Sequence, residues 1–149
     1  MIRTLLISSI LALLFSLPQA WAGDTPQELR HELMEGVGDA AKPVGKMLKG
    51  EQEFNAAVVM ESFKTWSHAA SDFGNHFPDG SDTGYDTEAR ETIWTDRDGF
   101  NEHLVIFTDA VNSAIEDNPQ DLEMLKTATG PVWKACKACH EDYRIEDED

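Results

Sequence analysis

The sequence predicts an all-α protein that folds as an antiparallel, up-down-up-down four-helix bundle. In four separate stretches apolar residues recur every three or four positions, as they do along one face of an α-helix. No stretch shows the alternation of apolar and polar residues that is typical of a β-strand. The stretches are joined by short or moderate connections, which favour antiparallel packing of consecutive helices.

The first helix is predicted to begin after Thr25. Residues 25–28 combine a threonine cap, a proline at the first helical position and a glutamate three residues after the cap, which together form a capping box. Pro43 is expected to kink this helix, and Gly50 to end it near Lys49. Its apolar stripe comprises Leu29, Leu33, Val37, Ala40, Val44, Met47 and Leu48.

The second and third helices are predicted on either side of the longest loop. The second covers residues 55–73 and is expected to stop at Gly74. Residues 74–85 are rich in glycine and aspartate and lack a periodic apolar face, so they form the loop. An Ile-Trp pair at residues 93–94 is expected to act as an anchor. The third helix ends near Asp117 and carries the stripe Phe100, Leu104, Phe107, Val111 and Ile115.

The fourth helix is predicted to begin at Asn118 and Pro119, which repeat the pattern of a cap followed by proline. Pro131 is expected to interrupt it. A cofactor between facing helices would suit this architecture. The inward stripe of the fourth helix comprises Leu122, Leu125, Thr129, Val132, Trp133, Cys136, Cys139, His140 and Tyr143.

The N-terminus has the pattern of a secretory signal peptide. A charged start with Arg3 is followed by an apolar run over residues 5–17 and by Ala20-Trp21-Ala22, a small-x-small cleavage site. The alternative is an uncleaved anchor, but the apolar run is shorter than the roughly 20 residues that span a bilayer. We therefore expect a signal peptide over residues 1–22, a single domain over residues 23–149, and a soluble periplasmic protein.

The chain is strongly acidic, with a formal net charge of −16. Removing the leader takes away one of the 12 basic residues and none of the 28 acidic ones, so the formal charge becomes −17. Such a surface repels phosphate and anionic lipid, which excludes nucleic acid and a membrane surface as expected partners. A protein with a basic docking patch would be attracted instead.

The chemistry of the chain is concentrated in one pentapeptide. Its two cysteines, Cys136 and Cys139, precede His140 in the pattern Cys-x-x-Cys-His. Two thiols at this spacing can each add to one haem vinyl group, and the adjacent imidazole can bind the iron. The motif predicts one covalently attached haem c, with His140 as the proximal ligand.

Three other interpretations of this motif remain open. A zinc site would need a fourth ligand, and the usual second pair of cysteines or histidines is missing. A structural disulfide between Cys136 and Cys139 would close a very small loop and contribute little. An exported thiol-disulfide oxidoreductase would use the same two thiols, although such motifs lie at helix N-termini and this one lies near a helix C-terminus.

The second axial ligand must come from upstream, because only nine residues follow His140. In the predicted bundle the start of the first helix lies level with the end of the fourth, and about 1.5 Å per residue puts Met34 close to the level of His140. Met34 is the candidate ligand, although a core thioether is the alternative. Arg30 and Arg144 lie one turn from Met34 and His140, where they could bind haem propionates or form surface ion pairs. The other histidines, expected to be surface or hydrogen-bonded residues, are His31, His68, His76 and His103.

Four segments together resemble the cytochrome c prime family, over nearly the whole mature chain. They are Cys-Lys-Ala-Cys-His-Glu-Asp-Tyr-Arg at the C-terminus, Arg30-His-Glu-Leu-Met34, Lys49-Gly50-Glu51, and Phe77-Pro-Asp-Gly-Ser81 before Ile93-Trp94. The resemblance implies a four-helix bundle with a haem on Cys136 and Cys139, His140 as proximal ligand, Arg30 near the propionates and Met34 on the distal face.

The resemblance also implies one of two subtypes, which the sequence does not separate. High-spin members are five-coordinate and bind nitric oxide or carbon monoxide, whereas low-spin members resembling c-556 use a Met ligand and carry electrons. A homodimer is the commoner arrangement. Glu88 falls where relatives carry a polar haem contact. His31 and Trp133 depart from the family pattern, and the Trp133 ring is expected to pack against the porphyrin or to shift its helix.

Overall fold

The computed structural model describes residues 24–145, so the predicted signal peptide and the acidic tail at residues 146–149 lie outside the described residues. No helix in the described part is both long and apolar enough to cross a membrane. We number the helices α1 (Pro26–Leu48), α2 (Ala56–Asp72), α3 (Thr92–Thr95), α4 (Arg97–Asp117) and α5 (Leu122–Tyr143).

The four long helices form the predicted bundle, and residues 24–145 contain no β-strand. Helix α1 packs on α2, α2 on α4 and α4 on α5, while α1 and α5 close the ring with a looser seam. The short helix α3 lies against α4 and α5. Residues 77–91 lie in the connection between α2 and α4, directly before α3, and are called the cavity loop below. The predicted all-α bundle is therefore confirmed.

The predicted starts of the first two helices are also confirmed. The Thr25 hydroxyl accepts a hydrogen bond from the Glu28 amide at 3.2 Å, and the Glu28 carboxylate accepts one from the Thr25 amide at 2.7 Å. Asn55 caps α2 by accepting a hydrogen bond from the Val58 amide at 3.1 Å. Helix α1 continues through Pro43 and ends at Leu48, and Gly50 follows with a φ of +76°. These reciprocal bonds satisfy amides that have no partner within the helix.

The predicted start of the fourth helix was wrong by three residues. Asp121 is the cap of α5, because its carboxylate accepts from the Met124 amide at 2.9 Å. Asn118 instead ends α4 in a left-handed conformation with a φ of +42°. Asparagine is a good helix cap, but it also tolerates left-handed backbone better than most residues, which explains the error.

The predicted interruption at Pro131 was also wrong, since α5 runs unbroken from Leu122 to Tyr143. The residues on either side of the proline hold the helix in place. Thr129 and Val132 are fully buried in the bundle, and the Thr129 hydroxyl donates to the Leu125 carbonyl at 2.8 Å. Burial on this scale offsets the roughly 3 kcal/mol that an interior proline costs a helix.

Helix α2 ends at Asp72, one residue before the predicted end at Phe73, and Gly74 lies in the 3₁₀ turn over Phe73–His76 that follows. Gly74 also gives the neighbouring helix α4 room. A Cβ atom on Gly74 would come within 2.9 Å of the Leu104 side chain, so the missing side chain lets α4 approach the turn closely. The turn thereby directs the chain into the cavity loop.

The interior has two apolar clusters. The larger one fills the half of the bundle formed by the end of α1 and the start of α5, and its largest side chains are Trp66, Phe63, Met47 and Leu125. The smaller cluster comprises Phe77, Ile93, Phe100 and Tyr143. Phe100 contacts Phe77 and Tyr143 edge to face, with ring centroids 4.8 and 5.4 Å apart. This cluster forms one wall of the cavity described next.

Candidate cofactor site

A deep cavity opens between α1, α4, α5 and the cavity loop. It encloses about 1060 Å³ of space, counting its open mouth. Its walls are largely apolar, with Val37, Phe73, Leu104 and Phe107 among them. All seven residues predicted to bind a cofactor line this one cavity, namely Arg30, Met34, Glu88, Cys136, Cys139, His140 and Arg144.

Helix α5 carries the reactive side chains into the cavity. Cys136 and Cys139 are free thiols, partly buried, one turn apart on the same helix face, and His140 follows directly. Burial raises the pKa of the Cys136 thiol, and burial together with Cys136 and Asp142 raises that of Cys139 to about 11. Both sulfurs are therefore protonated at neutral pH. They are poor nucleophiles, which disfavours thiol-disulfide exchange.

The imidazole of His140 is favoured in its neutral form. Burial and the nearby Arg144 guanidinium lower its pKa, and Glu88 acts weakly in the opposite direction. A neutral imidazole has a free nitrogen lone pair, which is the form that binds a metal. Residues of the first turns of α1 line the same cavity.

Met34 lines the same cavity from α1. Among the described methionines, it is the one that does so. Met47 is fully buried in the larger apolar cluster, and Met60 packs against the same cluster. Met124 lies on the surface and is 40% exposed. A thioether at the position of Met34 can either coordinate an iron or fill the space above it.

Arg30 lies one turn before Met34 and is buried, with 5% of its surface exposed. Its guanidinium fastens the cavity loop to α1. It donates four hydrogen bonds of 2.8 to 3.1 Å, to the carbonyl of His76, the hydroxyl and carbonyl of Ser81, and the hydroxyl of Thr87.

Aromatic rings complete the environment of Arg30. The guanidinium carbon lies 4.7 Å from the centre of the Phe77 ring and 5.7 Å from that of Trp94. Burial lowers the pKa of the guanidinium, but an arginine remains charged at physiological pH. The hydrogen bonds to the cavity loop occupy both terminal nitrogens, so Nε–H is the donor that none of these bonds uses.

Glu88 and Arg144 form an ion pair at the mouth of the cavity. The Arg144 Nε atom lies 2.5 Å from a Glu88 carboxylate oxygen, and both side chains are about half exposed. The main chain joins the same two segments, because the Ile145 amide donates to the Glu88 carbonyl at 2.7 Å and the Arg90 amide donates to the Tyr143 carbonyl at 3.0 Å. The cavity loop is thus tied to the end of α5 as well as to α1.

Two histidines also line the cavity, which the sequence pattern did not indicate. His103 contacts the Gly99 carbonyl at 3.0 Å and the Asp142 carboxylate at 3.2 Å, so it is hydrogen-bonded as expected but faces the site. His31 lies at the mouth, edge to face with Tyr85 at 6.2 Å. The spacing of His103, one turn after Phe100 on the inward stripe, was the signal that could have placed it.

Trp133 does not lie in the cavity, contrary to the expectation that it packs against a porphyrin. Its ring contacts Trp66 edge to face at 5.2 Å, and its outer side lines a groove against α1. The Trp66 indole donates to the Val37 carbonyl at 3.1 Å, which fixes the pair. The ring is partly buried and packs against the larger apolar cluster, as Cys136 does.

The cavity has the chemistry that a covalently bound haem requires. Its apolar walls suit a porphyrin, two free thiols and a neutral imidazole share one helix face, and polar groups lie at the mouth. Among residues 24–145, no three histidine, cysteine, aspartate or glutamate side chains come together as a metal site. The zinc interpretation therefore lacks its additional ligands in this part of the chain.

The bundle and its site define a class of protein, the c-type cytochromes with a haem at the end of a helical bundle. Residues 25–144 match the protein family described as Cytochrome C′, and the chain belongs to this family. Its members carry covalently attached haem c and are electron-transfer or gas-binding haem proteins rather than enzymes. Haem c is accordingly the cofactor of this chain, a c-type cytochrome that acts as an electron carrier.

Individual relatives fall into two named groups. Cytochrome c′ of Rhodopseudomonas palustris is 36% identical over 115 residues, which cover 77% of this chain and 78% of the relative. Cytochrome c-556 of the same organism is 30% identical over 150 residues, which cover 97% of both chains. The solved structure of the R. palustris cytochrome c′ superimposes with a TM-score of 0.80 at 32% identity, covering 85% of this chain and all of the other.

Proposed function

We propose that this protein is an exported, periplasmic carrier of single electrons whose haem is held by Cys136 and Cys139 and coordinated by His140 and Met34. The observation that carries this proposal is the arrangement of one cavity. Both thiols and the imidazole line it from α5, and the one described methionine that lines it belongs to a different helix, α1. His and Met together are a ligand pair of electron-carrying c-type cytochromes.

Each residue has a distinct part in this proposal. The thiols of Cys136 and Cys139 would hold the haem on α5 through thioethers, and the neutral imidazole of His140 and the thioether of Met34 would bind its iron. When bound, the haem would supply an iron centre that gains and loses one electron. The helices on both sides are held by the bundle, so the ligand atoms need little rearrangement when the charge changes.

The groups at the mouth are proposed to bind the haem propionates. Arg144 would exchange Glu88 for a propionate, since both are carboxylates competing for one guanidinium. The Glu88 carboxylate would then be a polar contact at the edge of the haem, as the family resemblance implies for this position. Arg30 contributes through Nε–H and its positive charge, because its other donors already hold the cavity loop.

Binding of nitric oxide or carbon monoxide is the second candidate function. It is favoured by the apolar surroundings of Met34, where Val37, Leu104 and Phe107 line the cavity and offer no hydrogen bonds to a competing polar ligand. A gas molecule would have to displace the Met34 sulfur. Tight carbon monoxide binding by the reduced protein therefore indicates that this ligand is weak or absent.

Two further properties belong to this proposal. The acidic surface supports docking of a redox partner with a basic patch. A homodimer is supported by one solved cytochrome c′, 28% identical over 84% of this chain, whose structure is described as having an unusual ligand-controlled dimer dissociation. Sedimentation of the reduced protein with and without carbon monoxide would test the dimer.

The decisive experiment is mass spectrometry of the protein purified from the periplasm of an expressing bacterium. We expect a coloured protein that starts at Gly23 and carries one haem on Cys136 and Cys139. A Cys136→Ala/Cys139→Ala double variant serves as the control without attachment sites. A colourless protein in which the two thiols exchange with a disulfide would instead support the thiol-disulfide oxidoreductase.

A further inference from the structure

The lysines are concentrated in two short segments of this acidic chain. Residues 36–50, in the second half of α1, contain three lysines and one acidic residue. Residues 124–140, in α5, contain three lysines and no acidic residue at all. These segments hold six of the seven lysines of a chain that carries 28 acidic residues. Lys64 is the one that lies elsewhere.

The two segments belong to neighbouring helices, α1 and α5, which meet along the loose seam. A groove runs along this seam, lined by Gly38, Ala41, Lys42, Gly45, Lys46, Lys49, Glu51 and Trp133. All six lysines of the two segments are exposed, and three of them, Lys42, Lys46 and Lys49, line the groove. We call this groove the basic groove. It lies beside the cofactor cavity, because α1 and α5 line both.

Trp133 connects the basic groove to the cofactor site. Its ring lines the groove, and it lies one helical turn before Cys136, which lines the cavity. Both side chains pack against the larger apolar cluster. A molecule bound in the basic groove would therefore lie close to one of the two attachment points of the haem.

Local effects account for part of this pattern but not for all of it. Lys46 and Lys49 lie at the end of α1, where a positive charge is favoured by the helix dipole. Lys42 pairs with Asp39 at 2.6 Å. In α5, Lys137 pairs with Glu141 at 3.4 Å and Lys126 lies one turn after Glu123, but neither effect explains Lys134, which has no acidic residue three or four positions away. The groove lining itself carries Lys42, Lys46 and Lys49 against Glu51, so its formal charge is positive.

We propose that the basic groove is the docking site for a second redox partner, a protein that presents an acidic surface and exchanges one electron with this cytochrome. The proposal rests on the electron-carrier function proposed above. A carrier needs a donor and an acceptor, and two surfaces of opposite charge let it bind them at different places. The acidic remainder of the surface takes the basic partner, and the basic groove takes the acidic one.

A small anion of known structure can test the basic groove without any electron transfer. Hexacyanochromate(III) carries three negative charges, is redox-inert under these conditions, and broadens the NMR signals of nearby protons because it is paramagnetic. We expect it to broaden amide signals of residues 42–49 and the indole N–H signal of Trp133 in the haem-loaded protein. The indole signal of the buried Trp66 should change much less.

Lys42→Gln and Lys64→Gln form a matched pair of variants. Both lysines pair with an acidic residue three positions earlier, at 2.6 Å from Asp39 and 3.4 Å from Glu61, and their side chains are 72% and 70% exposed. Each substitution changes the net charge equally. We expect Lys42→Gln to weaken hexacyanochromate binding about three- to fivefold at low ionic strength, and Lys64→Gln to leave it nearly unchanged.

The possible results are distinct. Equal effects of the two variants, or broadening spread evenly over the surface, would overturn the proposal. Loss of the same amide signals with rising protein concentration and no anion present would make a second copy of the chain the occupant, and would also overturn it. Failure of the electron-carrier function itself would appear in the absorption spectrum and would leave hexacyanochromate binding unchanged.

Discussion

The guanidinium of Arg30 in α1 binds both the hydroxyl and the carbonyl of Ser81, at 3.0 and 2.8 Å, across 51 residues of sequence. Ser81 is itself buried and belongs to the cavity loop. The loop that forms one side of the cofactor cavity is therefore held by a charge on the helix that carries Met34. The Arg30 side chain therefore links the position of the cavity loop to the helix that carries Met34.

Replacing Arg30 with lysine should destabilise the protein by about 2 to 4 kcal/mol. A lysine keeps the charge but cannot reproduce the forked set of hydrogen bonds, so buried oxygens of the cavity loop lose their donors. Urea unfolding of the haem-loaded variant measures the loss. Arg90→Lys is the control, because Arg90 makes a side-chain bond to only one carbonyl, that of Glu141. Equal losses in the two variants would contradict the role of Arg30 in holding the loop.

Tyr143 and Asp96 join the end of α5 to the start of α4. The Tyr143 hydroxyl donates to Asp96 at 2.9 Å, while the other carboxylate oxygen of Asp96 caps α4 by accepting from the Gly99 amide. Burial and Asp96 raise the pKa of Tyr143 to about 12. An unfolded tyrosine ionises near pH 10. The folded state therefore retains a proton that the unfolded state loses between these values.

It follows that the stabilising effect of Tyr143 is complete below about pH 10 and disappears as the pH rises towards 12. Tyr143→Phe should lower the free energy of unfolding by about 1 kcal/mol at neutral pH. Between about pH 10 and 12, the free energy of unfolding of this variant should fall less than that of the wild type. Chemical unfolding at several pH values checks this. The other tyrosine, Tyr85, is 56% exposed, so Tyr85→Phe should retain the wild-type pH dependence. Identical pH profiles for the wild type and Tyr143→Phe would contradict the prediction.

Mutation can show which of two residues, Asn118 or Asp121, caps the start of α5. Asp121→Ala should lower the free energy of unfolding by about 1 kcal/mol, because the Met124 amide loses its acceptor. Asn118→Gly should have little effect or stabilise, since glycine adopts the left-handed conformation of Asn118 without strain. Thermal unfolding measures both. An unchanged free energy of unfolding in Asp121→Ala would contradict the assignment of Asp121 as the cap.

Local sequence patterns were sufficient to predict the helices and the chemistry of the site. Capping by Thr25 and Asn55 depends on residues three positions apart, and Cys136, Cys139 and His140 lie in one pentapeptide, so both are visible in sequence. Pro131 was misread because distant packing, rather than local propensity, keeps the helix intact.

The contacts of the cavity loop could not be predicted in this way. Arg30 finds its partners 46 to 57 residues further along the chain, at positions that are determined only when the bundle has formed. The same applies to Glu88 and Arg144, which meet across 56 residues. The position of Trp133, beside Trp66 rather than in the cavity, depends on which of two apolar spaces accepts the ring.

The proposed coordination of the haem iron by both His140 and Met34 is tested by comparing the absorption spectra of the wild type and Met34→Ala. We predict a low-spin spectrum for the wild type and a high-spin spectrum, with rapid carbon monoxide binding to the reduced form, for Met34→Ala. Met124→Ala, which changes an exposed methionine on α5, should retain the wild-type spectrum. A wild-type spectrum that is already high-spin and does not change in Met34→Ala would contradict the claim.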